Sequence, residues 1–86
     1  MHMDDALWQQ LRPLLPDGCT PSDSLRDDLG LDSLSYVELI MQVEGLYDIY
    51  FPDDELSQMH TVQDLVQGVK RHLSPAMWLL IHLNSN

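Results

Sequence analysis

Apolar and polar positions alternate with a helical period through most of this chain. Between Asp4 and Leu15, the residues Leu7, Leu11 and Leu14 form one stripe, with Trp8 and Leu15 beside it. Asp4 and Asp5 stand at its start, where the positive end of a helix favours acids. Pro13 lacks a backbone donor, so this helix is expected to end or kink near it. From Asp32 to Tyr47 the period is cleaner. Asp32 is a good N-cap, and no Gly or Pro interrupts before Gly45. On a wheel of about 100° per residue, Tyr36, Leu39, Ile40, Val43, Leu46 and Tyr47 share roughly a third of the circle, the expected core face. A third helix is expected from Thr61 to Leu73. Thr61 and Asp64 make a Thr-x-x-Asp capping pattern, and Val62, Leu65, Val66, Val69 and Leu73 share a face. Lys70, Arg71 and His72 fall in the last turn, where cations are favoured.

The segments between are punctuated. Pro16, Gly18, Pro21 and Gly30 break up a connection from Pro16 to Leu31, and Leu25, Leu29 and Leu31 are expected to pin it to the core as an ordered loop. Tyr47 to Phe51 alternates weakly but has no partner strand, so an extended linker is expected. Pro52-Asp53-Asp54-Glu55-Leu56 reads as a one-turn helix, with Pro at its start and acids in its first turn. Ala76 to Leu83 is apolar nearly all round and far too short to span a bilayer. Such a helix is expected to bury itself on the bundle or against a second copy, giving a weak homodimer through the tail. Polar Asn84-Ser85-Asn86 follows. Met1-His2 reads as a cloning remnant before Met3. The expected fold is all-α: a small bundle of three main helices plus one short helix. Residues 3–75 are expected to form the domain, and 76–86 an apolar C-terminal extension.

Charge narrows the classes of partner. The 86 residues include four Lys and Arg against fourteen Asp and Glu, a formal net charge of −10. Such a surface repels phosphate backbones and anionic membranes, so neither nucleic acid nor membrane is expected as a partner. Proteins with basic patches, or cations, fit better. Cys19 is alone, which excludes an intrachain disulfide and suits a reducing, cytoplasmic setting. Asp17, Asp23, Asp27 and Asp28 invite a calcium reading, but Gly18 comes too early for the known loop pattern and Pro21 intrudes. His60, His72 and His82 are far apart and Cys19 has no companion, so no zinc site is expected. These histidines are expected at the surface.

The Asp32–Tyr47 helix carries more apolar surface than one core needs. Leu34, Val37 and Met41 fall on the side away from the core face, with Glu38 and Glu44 beside them, which suggests an acid-rimmed docking stripe. Ser33 stands at the edge of the core face in the first turn. A helix start presents free N–H groups and a positive dipole end, both suited to a phosphate. No His lies close to it in sequence, so Ser33 reads as the acceptor of a modification and not as a self-activated nucleophile. The alternative is a helical interaction module in which Ser33 is an ordinary helix-start residue.

Asp28-Leu29-Gly30-Leu31-Asp32-Ser33-Leu34 resembles the phosphopantetheine attachment motif of the acyl carrier proteins and their relatives in polyketide and nonribosomal peptide assembly. Val37-Glu38-Leu39, Met41 and Tyr47-Asp48 follow in matching register. Phe51-Pro52-Asp53-Asp54-Glu55 resembles the family's Ile-Pro-Asp-Glu-Glu, and Thr61-Val62-Gln63-Asp64-Leu65 its Thr-Val opening of the final helix. The similarity covers roughly residues 5 to 73. It implies 4′-phosphopantetheine on Ser33 through a phosphodiester, cargo held as a thioester, and Asp32 helping a transferase to recognise the site. It also implies a carrier, not an enzyme. The implied partners are a phosphopantetheinyl transferase, an acyl-loading ligase or acyltransferase, and downstream synthases or tailoring enzymes with basic patches. Two departures stand out. Ser35 replaces an acid common in the family, and the Gly-Gly-x-Ser of many peptidyl carriers is missing. The second tilts the reading towards an acyl-type or free-standing carrier over an aminoacyl one, and the first, which makes the helix less acidic than the family norm, towards a specialised pathway.

Overall fold

The computed structural model describes residues 3–83. Met1-His2 and Asn84-Ser85-Asn86 lie outside the described residues, as do the side chains of Met3, Asp4 and His82. Five α-helices follow in order: α1 (Met3–Leu11), α2 (Ser33–Tyr47), α3 (Asp53–Leu56), α4 (Val62–His72) and α5 (Pro75–Leu83). No strand occurs among the described residues, although Ser24 and Thr61 form an isolated bridge. The all-α expectation holds, with α5 added to the three main helices and one short one.

Each boundary has a local cause. The first helix stops at Leu11, earlier than its apolar stripe suggests, and continues as a 3₁₀ turn over Arg12–Leu14. Pro13 cannot donate to the α-helical ladder, so the chain tightens there. Asp32 caps α2: its Oδ1 accepts the Ser35 N–H at 2.8 Å. At the other end Asp48 turns left-handed (φ 56°) and donates its N–H to the Glu44 carbonyl. Thr61 and Asp64 close a full capping box on α4, with Thr61 Oγ1 accepting the Asp64 N–H at 3.1 Å and Asp64 Oδ2 accepting the Thr61 N–H at 3.1 Å.

One core unites the helices. Leu7 and Leu11 of α1, Leu39, Ile40, Val43 and Tyr47 of α2, and Val62, Leu65, Val66 and Val69 of α4 are all buried, with Phe51 and Met59 from the connections. Two tyrosines close their polar ends inside this core. Tyr47 Oη donates to Gln10 Oε1 at 2.8 Å, and Tyr36 Oη donates to the Leu56 carbonyl at 3.1 Å. Burial pushes the Tyr47 phenol up to about 12, so it stays a donor at neutral pH. Leu46 departs from the expected core face and is 51% exposed. It sits at the edge of the arc, in the last turn before the chain reverses at Asp48.

The long connection is ordered, and its acids do local work. Thr20 N–H donates to Asp23 Oδ2 at 2.9 Å, and Ser24 N–H donates to Asp28 Oδ2 at 2.7 Å. Leu25 is buried and its N–H reaches the His60 carbonyl at 2.8 Å, while Val62 N–H reaches the Asp23 carbonyl at 3.0 Å. These bonds tie the loop to the start of α4. The described residues hold no metal-binding cluster, and two of the aspartates in the calcium reading are turned onto backbone N–H groups.

His72 departs from its expected surface position. It is half-buried, packs edge-on against Phe51 with ring centroids 5.4 Å apart, and is hydrogen-bonded through Nε2 to Glu55 Oε2. Arg71 joins the same carboxylate, its Nε donating to Oε1 at 3.0 Å. The end of α4 is thereby fastened to α3.

The apolar tail is a helix, but it is not buried all round. Ser74 starts it, accepting the Met77 N–H on Oγ at 3.1 Å. Against α1, the tail buries Ile81 and half-buries Met77, leaving Trp78, Leu79, Leu80 and Leu83 exposed. A single helix can press only one edge on the bundle, so most of its apolar circumference faces outward.

Candidate functional site

Ser33 is the first residue of α2, and two features of the preceding loop place it there. Gly30 adopts φ +71°, a left-handed turn that a side chain would strain, and nothing lies within 4 Å of where its Cβ would be. Leu31 N–H then donates to the Leu25 carbonyl at 3.2 Å, fixing the direction from which the chain enters the helix. Ser33 is exposed, and its hydroxyl makes no hydrogen bond among the described residues. The capping is done by Asp32, so the serine hydroxyl is left for other chemistry. Hydrogen bonds from the Ser35 backbone and hydroxyl hold the Asp32 carboxyl below its ordinary range, keeping it ionised beside Ser33.

Nothing at this site can activate the serine. No histidine or carboxylate is hydrogen-bonded to its hydroxyl among the described residues, and Asp32 is turned towards the helix start. A phosphodiester at Ser33 fits the surroundings: the hydroxyl is unhindered, the Gly30 turn leaves open space, and the dipole end of α2 favours an anion.

Leu34, Val37 and Met41 are 68%, 51% and 64% exposed, and Glu38 is exposed beside them. Glu44 is different. It is half-buried, and its Oε2 accepts the Phe51 N–H at 2.8 Å. Its carboxylate is committed to closing the linker onto α2, so it is less available to a partner than its wheel position suggested. A small cavity of about 150 Å³ opens between α2, the linker and α3, lined by Tyr36, Val37, Ile40, Met41, Tyr50, Phe51 and Leu56 among others. Sequence reading missed this cavity, because Tyr50, Phe51 and Leu56 reach α2 only through the fold. Cys19 is half-buried, and burial pushes its thiol up, which disfavours a reactive thiolate.

The family model for the phosphopantetheine attachment site matches residues 6–69. An acyl carrier protein of Desulforapulum autotrophicum is 47% identical over 51 residues, covering 59% of this chain and 66% of its own length. A meromycolate extension acyl carrier protein of Mycolicibacterium aurum is 36% identical over 63 residues, covering 73% of this chain and 65% of its own length. The chain thus spans just under two thirds of the length of these curated relatives. In fold, the crystal structure of an acyl carrier protein from Thermotoga maritima is similar with a TM-score of 0.70 at 21% identity, over 80% of this chain and 88% of that one. With Ser33 exposed at the start of α2 and the family model spanning the loop, α2 and most of α4, the chain belongs to the phosphopantetheine attachment-site family, that of the acyl carrier proteins.

Proposed function

We propose that this protein is an acyl carrier that works through 4′-phosphopantetheine on Ser33. The observation that supports the reading best is the exposed, unbonded Ser33 hydroxyl at the N-terminus of α2, inside the matched motif. A transferase would supply the base, and the Ser33 oxygen would displace the nucleotide part of coenzyme A to form the phosphodiester. When bound, the group supplies a terminal thiol that holds an acyl chain as a thioester. The protein's own residues position it: Asp32 caps α2 and sets the serine at the helix start, and Gly30 turns the loop away to leave access. The role is that of a carrier; loading ligases or acyltransferases and downstream synthases perform the chemistry.

Those enzymes dock on Leu34, Val37 and Met41, with Glu38 steering basic patches towards them. Glu44 serves mainly the linker. The half-buried thiol of Cys19 suits the cytoplasm. The test is incubation with coenzyme A and a broad-specificity phosphopantetheinyl transferase, read by intact mass spectrometry. One phosphopantetheine should be added per chain. Ser33→Ala should add none while keeping its helical circular dichroism. Modification of that variant, or none of the natural chain, refutes the reading.

A further inference from the structure

Four cationic side chains stand in this chain against fourteen carboxylates. Arg71 is paired with Glu55, and Arg12 lies over Trp8. Arg26 has no carboxylate partner among the described residues, although Asp27 and Asp28 follow it directly. Asp28 is turned to the Ser24 N–H and Asp32 to the Ser35 N–H. The Arg26 guanidinium carbon instead lies 5.9 Å from the centroid of the Tyr36 ring. The bond from Leu31 N–H to the Leu25 carbonyl brings this stretch of loop beside the entry to α2.

Tyr36 is three residues after Ser33 on that helix, and side chains at this spacing are neighbours, with Cβ atoms about 5–6 Å apart. We propose that Arg26 is the cation that holds the phosphodiester on Ser33, fixing the root of the prosthetic arm over Tyr36. The inference rests on Ser33 being the attachment point. The helix start favours an anion, but Asp32 weakens that contribution here. Asp32 has already taken the Ser35 N–H and places its own negative charge next to the phosphate. A guanidinium offsets that charge and offers a planar fork that matches phosphate oxygens.

The position also sets a direction. At about 100° per residue, Ser33, Val37, Ile40 and Glu44 fall along one row of α2. The last three line the cavity between α2 and α3, and so does Tyr36. An arm anchored over Tyr36 therefore leaves Ser33 along the row that leads to the cavity. Arg26 is a positioning residue in this account.

The three arginines of the chain make the test tractable. Side-chain Nε–H resonances of ¹⁵N-labelled protein are compared before and after modification, on samples whose modification is established by mass. The Arg26 signal should move, and those of Arg12 and Arg71 should stay. In the modified protein the ³¹P signal should move towards its Arg26→Gln position as ionic strength rises from about 0.01 to 1 M, over which the screening length falls from about 30 to 3 Å. Arg26→Gln should show little salt response and Arg26→Lys an intermediate one. An Arg26 resonance unchanged by modification, or identical ³¹P salt responses in the natural chain and Arg26→Gln, overturns the proposal. The first comparison needs no variant, and a chain that is never modified refutes the carrier reading instead.

Discussion

Gly68 lies in the middle of α4 and faces the linker that walls the cavity. A Cβ built there would sit 2.9 Å from Met59 Sδ and 3.1 Å from Phe51 Cε1. Both neighbours are buried, and Phe51 is a rigid ring with no exposed side to move into. Gly45, in α2, offers a control: its added Cβ would meet nothing within 4 Å. Replacing Gly by Ala inside a helix removes a propensity cost of roughly 0.8–1 kcal/mol, so Gly45→Ala should stabilise by about that much. Gly68→Ala gains the same propensity but overpacks the core, which typically costs about 1–3 kcal/mol. The balance is about 0–2 kcal/mol of destabilisation, and the two variants should differ by about 1–3 kcal/mol. At roughly 4–8 °C per kcal/mol for a domain of this size, their melting temperatures should separate by at least about 4 °C, with Gly45→Ala above the natural chain and Gly68→Ala at or below it. Thermal denaturation followed by circular dichroism reads this directly. Met59→Ala in the Gly68→Ala background should show a favourable coupling on the order of 1 kcal/mol, because the shortened side chain makes room. Stabilisation of Gly68→Ala by as much as Gly45→Ala would refute the close packing of α4 on Phe51 and Met59.

Three further outcomes are expected. Burial raises the Glu55 carboxyl, but hydrogen bonds from Arg71 and His72 outweigh this and hold it below its ordinary 4.5; its contribution is therefore complete above that value and lost as pH falls through the lower folded value. In urea titrations from pH 7 to 3, Glu55→Gln should cost about 1 kcal/mol at pH 7 and little at pH 3, and an equal cost at both would remove the linkage. Ile81→Ala should lower the melting temperature through loss of about 1–3 kcal/mol of packing on α1, whereas Leu80→Ala, on the exposed side, should change it little but should dissolve any dimer built through α5. Met41→Ala should slow acyl transfer to a cognate enzyme by about tenfold without early melting, while Glu38→Lys should slow it most at low salt; normal single-turnover transfer by both places the docking surface elsewhere.

The local grammar of this chain was legible in its sequence. Asp32 before Ser33, the Thr61–Asp64 box and the Pro13 break act over four residues or fewer, so their hydrogen bonds can be read without knowing the fold. The exposed stripe of Leu34, Val37 and Met41 followed from periodicity alone, because α2 had only one other face to bury. The family was legible through the motif around Ser33, which lies inside the matched residues 6–69. What the tertiary structure decided was which groups meet across the chain. Glu44 and Phe51 are seven residues apart and His72 and Glu55 are seventeen apart, and no period links them. Leu46 lies at the margin of its arc, where burial depends on what packs beside it. Arg26 sits ten residues before Tyr36, in a loop that only the bonds of Leu25 and Leu31 carry to the start of α2. Secondary structure is set by neighbours along the chain, whereas ion pairs, cavities and the burial of marginal positions depend on how completed elements are placed against one another.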